Sequence, residues 1–222
     1  LVNAYTDTWG RADFLVKGIR TVRNRALASL FHPLSILDTR TYFHAKRELN
    51  QLKEYQKIHL LENLCSDVRK SSISLFISEL LYKTVRESEE NRELFGFVTN
   101  TILDLDRAGT ELADLHLYFA VRLCRYLGYA PDAESFSADR KYFHIGKACF
   151  CDTPDLLSGA FDKEDSLLLQ QVLSCPSGEI RLLSCSGSRR HHFLNSLMSY
   201  YSYHLGKTPE IRSLDILHQV FL

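Results

Sequence analysis

Residues 10–20 read Gly10-Arg11-Ala12-Asp13-Phe14-Leu15-Val16-Lys17-Gly18-Ile19-Arg20. Apolar residues that favour strands stand here between turn signals, and cations lie at the strand ends and in the loop that follows. This pattern is typical of a small β-barrel that holds a polyanion against its outer face. We therefore predict a basic β module at this point, with the rest of the chain folded beside it as helices.

Short strands succeed one another through the first part of the chain. They are predicted at residues 1–6, 11–19 and 49–58, and within 30–42, where the alternation of Leu34 and Ile36 suits a half-buried strand. Such a succession, with cationic connections, favours a closed or nearly closed barrel of the OB type. Residue 1 already lies inside a predicted strand, and no initiator Met precedes it. We therefore expect that the first strand of the barrel is missing from this sequence.

Charge is divided unevenly along the chain. Residues 1–59 contain ten Lys and Arg against five Asp and Glu, a net charge of +5, and because the whole chain has 27 of each kind the remainder carries −5. A basic module on an acidic body favours a polyanionic partner. The residues predicted to contact this polyanion are Arg11, Lys17, Arg20, Arg23, Arg25, Arg40, Lys46 and Arg47. The alternative is that these cations only keep edge strands soluble.

Side-chain type in this module also suits a nucleic acid. The loop after residue 19 carries arginine, whose fork can bind two phosphate oxygens at once. Trp9, Tyr42 and Phe43 are candidates for stacking on bases. The alternative is that all three rings belong to the core of a small barrel, where most aromatic side chains lie.

Beyond residue 59 the spacing of apolar residues becomes helical. Ser66, Asn91 and Thr110 are predicted N-caps of three successive helices, the last of which ends at Gly128. Asp162 is predicted to cap a helix that runs to Leu173, with Asp165 as its partner in a capping-box-like pair, and further helices are predicted over 189–205 and 213–220.

The stretch between these helices has no clear period, although residues 142–146 and 149–151 favour a short hairpin. The predicted fold class is therefore α+β. Residues 1–58 are predicted to form an OB-fold domain that binds the polyanion and is incomplete at its N-terminus. Residues 59–222 are predicted to form a mainly helical domain with an irregular insert near 136–160.

No motif in the sequence indicates catalysis. There is no phosphate-binding loop and no Gly-x-Gly-x-x-Gly, so we predict neither an enzyme nor a cofactor. Cys149, Cys151, Cys175 and Cys185 suggest zinc, but their C-x-C and C-x₉-C spacings differ from the usual C-x₂₋₄-C knuckle, so no metal is predicted. Thiols without secretory features, and no apolar run of about 18 residues, favour a cytoplasmic protein without a membrane partner.

Several stretches taken together resemble the RecO family of bacterial DNA repair and recombination mediators. They are Gly10-Arg11 with residues 15–20, Phe31-His32-Pro33-Leu34-Ser35, residues 47–54, Glu79-Leu80-Leu81-Tyr82-Lys83, and residues 91–95, 200–205 and 213–217. The resemblance covers nearly the whole chain and rests on the order and spacing of these pieces. It implies an OB-fold followed by a helical domain, binding of single- and double-stranded DNA, strand annealing, and work with RecR to load RecA.

The resemblance also implies binding of the acidic C-terminal tail of single-strand-binding protein, which ends in Phe. A receptor for such a tail needs an apolar pocket with cations beside it. Arg122 and Arg125 stand three apart on a predicted helix, and Leu115 and Phe119 precede them at helical spacing. We predict this site there, the alternative being that the two arginines form a solvated face.

Arg189 and Arg190 are a second candidate for the partner site. Cations at a helix N-terminus oppose the dipole, so a structural purpose is not expected for them. A function of another class also stays open, namely a protein-interaction adaptor or an RNA-binding OB module. Steep salt dependence of DNA binding would separate the two classes, because each phosphate contact releases counterions.

Overall fold

A computed structural model of the chain describes residues 1–17, 29–44, 49–109, 112–154, 161–176, 179, 183 and 185–221. The fold is α+β, as predicted, with the larger sheet at the front of the chain. Its strands are β1 (Val2–Thr6), β2 (Gly10–Leu15), β3 (Leu37–Thr41) and β4 (Asn50–Lys57). A separate antiparallel hairpin is formed by β5 (Tyr142–His144) and β6 (Cys149–Cys151), which confirms the hairpin expected there.

The larger sheet has the strand order β1-β2-β4-β3. Its two outer pairs are antiparallel, whereas β2 and β4 run parallel, with Phe14 opposite Asn50. Among the described residues the edge strands β1 and β3 do not pair with each other, so the sheet is not closed there. Side chains alternate between faces in a strand, and one face contributes Ala12, Phe14 and Leu52 to a small core.

Two of the strand predictions need correction. β2 ends at Leu15, before the predicted end at residue 19, and residues 18–28 lie outside the described part of the chain. The strand expected to include Leu34 begins only at Leu37. Leu34 has a φ of 63° as the third residue of a turn in which Ser35 donates its N–H to the carbonyl of His32. Pro33 starts this turn, and Ile36 then packs into the helical core instead of into the sheet.

Helices account for most of the remaining described residues. They are α1 (Glu62–Ser66), α2 (Val68–Thr84), α3 (Arg92–Arg107), α4 (Leu115–Tyr126), α5 (Lys163–Ser174), α6 (Gly187–Leu205) and α7 (Ser213–Val220). Their buried faces meet in one core that contains Phe76, Phe119, Phe193, Tyr200 and Tyr201, each at most 2% exposed. The hairpin joins this core through Phe143 and Phe150, whose rings lie 5.3 Å apart. No helix of the described residues is long and apolar enough to cross a membrane.

The helix caps test the local rules directly. Asn91 accepts the N–H of Leu94, and Asp162 accepts that of Asp165, which confirms both predicted N-caps. The cap of α2 is Asp67, which accepts the N–H of Arg69, and the prediction of Ser66 is wrong. Ser66 instead ends α1, a short helix that the apolar spacing did not indicate.

The start of α4 also differs from the prediction. Thr110 lies outside the described residues, and the helix begins at Leu115 after Asp114. Leu112, which was expected inside the helix, precedes it and is fully buried. Ser213 is a candidate N-cap by residue type, but the cap of the last helix is Arg212 and Ser213 is the first helical residue. The N–H of Ser213 is accepted by Glu79 of α2.

Candidate functional site

The predicted DNA-binding cations fall into three groups. Lys17 and Arg40 lie in the described part of the β module and are exposed. Arg40 pairs with Glu54 across β3 and β4 at 3.5 Å, with side chains 82% and 69% exposed, and a pair so open to water contributes little stability. Outside the described residues lie Arg20, Arg23, Arg25, Lys46 and Arg47.

Arg11 is placed differently from the other cations, at the end of α2. Its Nη1 donates to the carbonyls of Tyr82 and Val85 at 3.0 and 3.2 Å, and its guanidinium lies 4.7 Å from the centre of the Tyr82 ring. The last carbonyls of a helix have no partner within it and attract cations. Arg11 thus joins the β module to the helices, and its predicted contact with DNA stays a prediction.

Gly10 explains how closely the two parts approach at this point. Its φ is 61°, and a Cβ atom there would lie 2.3 Å from the carbonyl oxygen of Glu89 and 2.7 Å from that of Glu87. The N–H of Arg11 donates to the Glu87 carbonyl at 2.9 Å. Only glycine has the space for this approach, so the Gly10-Arg11 pair has a structural reason.

Tyr5 in β1 strengthens the same junction. Its ring stacks on Phe95 of α3, with 6.4 Å between ring centres. Burial, and secondarily the charge of Glu87, raise the pKa of Tyr5 to about 12, so its hydroxyl stays neutral. Tyr5 and Arg11 are directly opposite each other in the sheet. This part of the β1–β2 face therefore lies against the helices and not toward solvent.

The three aromatic candidates for base stacking have different surroundings. Trp9 and Phe43 stack on each other in parallel, with ring centres 4.1 Å apart and 7° between their planes. Phe43 also packs against the core of the β module. Tyr42, the neighbour of Phe43, is 79% exposed. Of the three rings, Tyr42 therefore presents the most free surface to a ligand.

A groove of about 420 Å³ lies between α3 and α4. It includes three of the predicted partner-site residues, Leu115, Phe119 and Arg122, which stand on one face of α4 because their spacing is three to four residues. The other lining residues are Arg92, Glu93, Gly96, Phe97, Asn100, Thr101, Asp104, Tyr118 and Tyr126. The structure thus brings Leu115, Phe119 and Arg122 together at one concave site, in which Leu115 and Phe119 are each only 2% exposed.

Aromatic rings form the wall of this groove. Phe97 stacks on Phe119 and on Tyr126, with ring centres 5.2 and 4.8 Å apart. Gly96 precedes Phe97, and a Cβ atom at that position would meet no atom within 4 Å, so the groove is open there. Gly96, Phe97 and Tyr126 were not predicted from the sequence as part of this site, although residues 93, 96, 97, 100, 101 and 104 repeat at helical spacing.

Arg122 and Arg125, the two predicted cations near the groove, differ in the contacts that they make within the chain. Arg122 donates from Nη2 to the carbonyls of Pro176 and Glu179 at 2.8 and 2.7 Å, and its guanidinium lies 5.1 Å from the centre of the Tyr118 ring. Arg125 is exposed and does not line the groove. Arg122 therefore supports the chain after α5 as well as the groove, whereas the role of Arg125 stays a prediction.

Arg189 and Arg190 are engaged in ion pairs inside the fold. Arg189 bonds Asp162 and Asp165 at the start of α5 and reaches Glu164 at 3.1 Å. Arg190 donates from Nε to Asp114, a fully buried carboxylate, at 2.6 Å. The expectation that they have no structural purpose is wrong, because acids from other elements outweigh the dipole of α6. Their predicted contact with a partner stays a prediction.

Asp165 is the centre of this network. Burial raises the pKa of Asp165, although Ser196 donates its hydroxyl to the carboxylate and Arg189 and His192 lie beside it. Possible ligand atoms of Asp162, Asp165 and His192 lie within 4.8 Å of one another. The guanidinium of Arg189 already bonds both carboxylates, so this cluster is satisfied by a cation of the chain itself.

The four cysteines that were considered as zinc ligands lie at separate places in the fold. Cys149 and Cys151 are alternate residues of β6, Cys175 follows α5 and Cys185 precedes α6. All four are free thiols. Among the described residues, Asp162, Asp165 and His192 form the group of three with ligand spacing, so the cysteines do not converge on one point.

Comparison with known proteins identifies the family. Residues 65–214 match the family described as Recombination protein O C terminal. The DNA repair proteins RecO of Bacteroides fragilis and Phocaeicola vulgatus are 32% and 30% identical to the chain, over alignments that cover 100% of it and 91% of each relative. For the RecO of Porphyromonas gingivalis the identity is 27%, over 96% of the chain and 88% of the relative. The chain therefore belongs to the RecO family of DNA repair and recombination proteins.

Proposed function

We propose that this chain is a non-enzymatic DNA-binding and strand-annealing mediator. In this proposal residues 1–58 bind single- and double-stranded DNA, and residues 59–222 recruit RecR and single-strand-binding protein for the loading of RecA. The observation that carries it is the division of charge, +5 on residues 1–59 and −5 on the remainder. The exposed side chains of Lys17, Arg40 and Lys53 support it, since they lie on the basic part.

The strand order supports an OB-type module. An OB-fold is a five-stranded, partly open Greek-key barrel. Among the described residues β1 and β3 are the edges of the sheet β1-β2-β4-β3, and one strand between these edges would give the five strands of such a barrel. Because Tyr5 and Arg11 lie against the helices, we assign DNA binding to the side of β3, β4 and the loops next to them.

Annealing follows from the same electrostatics. Two complementary single strands repel each other through their phosphates, and a basic surface that gathers both lowers this repulsion. The acidic body keeps the DNA on the module, because like charges disfavour its contact with the helices. No bond is made or broken in this process, so no catalytic residue is needed.

The α3–α4 groove supports a second part of the proposal. An acidic tail that ends in Phe would place its ring against Phe97 and Tyr126 and its carboxylates toward Arg92 and Arg122. Burial of an aromatic ring among aromatic neighbours adds specific contacts beyond area alone. We therefore assign the tail of single-strand-binding protein to this groove.

A pair of matched double variants tests the DNA-binding part. Arg40→Gln with Lys53→Gln removes two exposed cations of the β module, and Arg140→Gln with Lys141→Gln removes two exposed cations of the body. Annealing of complementary oligonucleotides is followed by fluorescence at several salt concentrations. The first variant should slow annealing and weaken DNA binding, and the second should match the wild-type chain. Equal loss in both variants, or no annealing by the wild-type chain, would contradict the proposal.

A further inference from the structure

The segment after β3 carries an exposed aromatic ring between two exposed polar side chains. Arg40, Tyr42 and His44 all face solvent, whereas Thr41 and Phe43 between them are half-buried. The ring of Tyr42 is thus open to a ligand, with an exposed cation two residues before it.

The backbone on both sides of Tyr42 is tied to β4. The hydroxyl of Thr41 donates to the carbonyl of Gln51 at 2.8 Å. Asn50, which is 4% exposed, accepts the N–H of His44 at 2.9 Å and donates to its carbonyl at 3.4 Å. A backbone fixed in this way loses little further freedom when the side chain that it carries binds a ligand, which favours binding.

Below Tyr42 the module is filled by aromatic packing. Phe43 points inward and stacks on Trp9 at 4.1 Å. Because the neighbouring Phe43 packs inward against Trp9, the side chain of Tyr42 lies on the outside and is not part of the described core of the module. An exposed tyrosine is common by itself, but here the fixed backbone, the inward neighbour and the exposed cation Arg40 occur together.

We infer that Tyr42 is a base-stacking residue for single-stranded DNA, with Arg40 beside it to contact phosphate. This inference rests on the proposed function and names the form of DNA that this part of the site takes. Stacking on an aromatic ring is open to every base and needs a base that is not already stacked on both sides. A duplex would have to unstack a step before Tyr42 could enter. Tyr42 therefore favours the binding of single strands over duplex DNA, whereas the cations bind both forms.

Four chains are compared for binding to a fluorescein-labelled oligo-dT and to a hairpin duplex: wild type, Tyr42→Ala, Tyr42→Phe and Tyr203→Ala. Tyr203 is the matched control, because it is 59% exposed on α6, outside the β module. Tyr42→Ala should bind the single strand about 5- to 150-fold more weakly and the duplex with unchanged affinity. Tyr42→Phe and Tyr203→Ala should bind both like the wild-type chain.

The salt dependence distinguishes stacking from charge. Tyr42→Ala should leave the slope of log affinity against log salt unchanged, whereas Arg40→Gln should reduce it by about 0.7. Trp9 is the single tryptophan of the chain and stacks on Phe43, so unchanged emission of the free variants shows that the module is intact.

Equal single-strand affinity of Tyr42→Ala and wild type, or an equal loss of duplex affinity, would overturn the assignment of Tyr42 as a base-stacking residue. Neither result would affect the proposed function. A loss for an acidic peptide but not for oligo-dT would assign the ring to a protein partner and overturn it as well. Failure of the wild-type chain to bind any DNA would instead overturn the proposed function, and this inference with it.

Discussion

Glu79 on α2 caps the N-terminus of α7 at Ser213. Its carboxylate accepts the backbone N–H of Ser213 at 2.9 Å and the Ser213 hydroxyl at 2.7 Å, and it also accepts the N–H of Arg212 at 3.1 Å. Burial acts to raise the pKa of Glu79, but the bonds from Ser213 and Arg212 outweigh it and lower the pKa overall. The last helix is thus held by a residue that lies 134 positions earlier in the chain.

Replacing Glu79 should loosen α7. In Glu79→Ala the buried Ser213 loses its acceptors, and loss of an N-cap costs about 0.5 to 2 kcal/mol. We expect the free energy of unfolding, measured in urea, to fall by this amount. Glu210→Ala changes an exposed glutamate shortly before the same helix and is the matched control. Equal stability of both variants would show that the cap does not hold the helix.

Gly10→Ala should weaken the junction between the sheet and the helices. The variant needs a left-handed backbone, which costs about 1 to 3 kcal/mol in other residues, and its Cβ would meet the Glu89 carbonyl at 2.3 Å. We expect a lower melting temperature and altered emission from neighbouring Trp9. Gly109→Ala is the control, since a Cβ there meets nothing within 4 Å. A melting temperature unchanged in Gly10→Ala would contradict the close approach.

Combined neutralisation of the predicted loop, Arg20→Gln with Arg23→Gln and Arg25→Gln, should weaken DNA binding for every base sequence. Each lost phosphate contact reduces the salt slope for single strands by about 0.7, so three contacts reduce it by about 2. Neutralising Arg86, Arg140 and Lys207, which are exposed on the helical body, is the matched control. If a folded loop variant keeps the wild-type affinity and slope, this loop does not contact DNA.

A bulky side chain at Gly96 should block the α3–α4 groove without disturbing α3. Gly96→Trp places a ring in open space, so we expect at least about tenfold weaker binding of an acidic peptide that ends in Phe. Gly96→Ala is the control, since it leaves the groove open and should stabilise the helix by about 0.5 to 1 kcal/mol. Calorimetric titration gives both affinities. Equal affinity of the Trp and Ala variants would place the tail elsewhere.

The cations of this groove give a separate measurement. Arg122→Glu with Arg125→Glu should abolish binding of the same peptide and leave annealing of uncoated strands intact. Because Arg122 also bonds the carbonyls of Pro176 and Glu179, Arg125→Glu alone shows the charge effect without loss of those bonds. Loss of annealing in the folded double variant would mean that these arginines meet DNA and not a peptide.

Acid should destabilise the fold through His116. Complete burial, with a smaller contribution from Arg190, lowers the pKa of His116 to about 3, and no described hydrogen bond reaches its Nδ1. Unfolded histidine has a pKa of about 6.5, so between these values the unfolded state binds the proton and stability falls as pH drops, by up to about 1.4 kcal/mol per pH unit.

Comparison with His116→Phe isolates this effect from other titrating groups. The site already contains the rings of Phe76 and Phe221, so a phenyl ring suits it. The variant should lose less stability than the wild-type chain between pH 6.5 and 5 in urea unfolding. His59→Gln, at an exposed position, is the control for replacing a histidine and should keep the wild-type stability at neutral pH. Parallel curves for His116→Phe and wild type would show that His116 does not remain neutral.

Local rules predicted most of the elements. Asn91 and Asp162 cap helices as expected, because a cap needs only a side chain and an N–H two or three residues away. The hairpin at residues 142–151 was also confirmed, because its two paired strands are close together in the chain. Pro33 shows the limit of pattern alone, since the alternation after it suggested a strand where the chain makes a turn.

The partner groove could be predicted in part. Leu115, Phe119 and Arg122 follow from the period of a single helix. Phe97 and Gly96 come from another helix, and their place opposite α4 depends on how α3 packs against it. The same limit applies to Arg189, since its acidic partners belong to α5 and only the fold brings the two helices together.

The sequence by itself determined the α+β class, the basic front of the chain, the periods of the helices and several of their caps, all of which depend on residues close in the chain. Tertiary structure alone decided that Arg11 closes the end of α2, that Glu79 caps α7, and that Tyr42 faces out while Trp9 and Phe43 stack. Arg11 and Tyr82 are 71 residues apart. Contacts over such distances carry no local signal, because they form only when packed elements bring their side chains together.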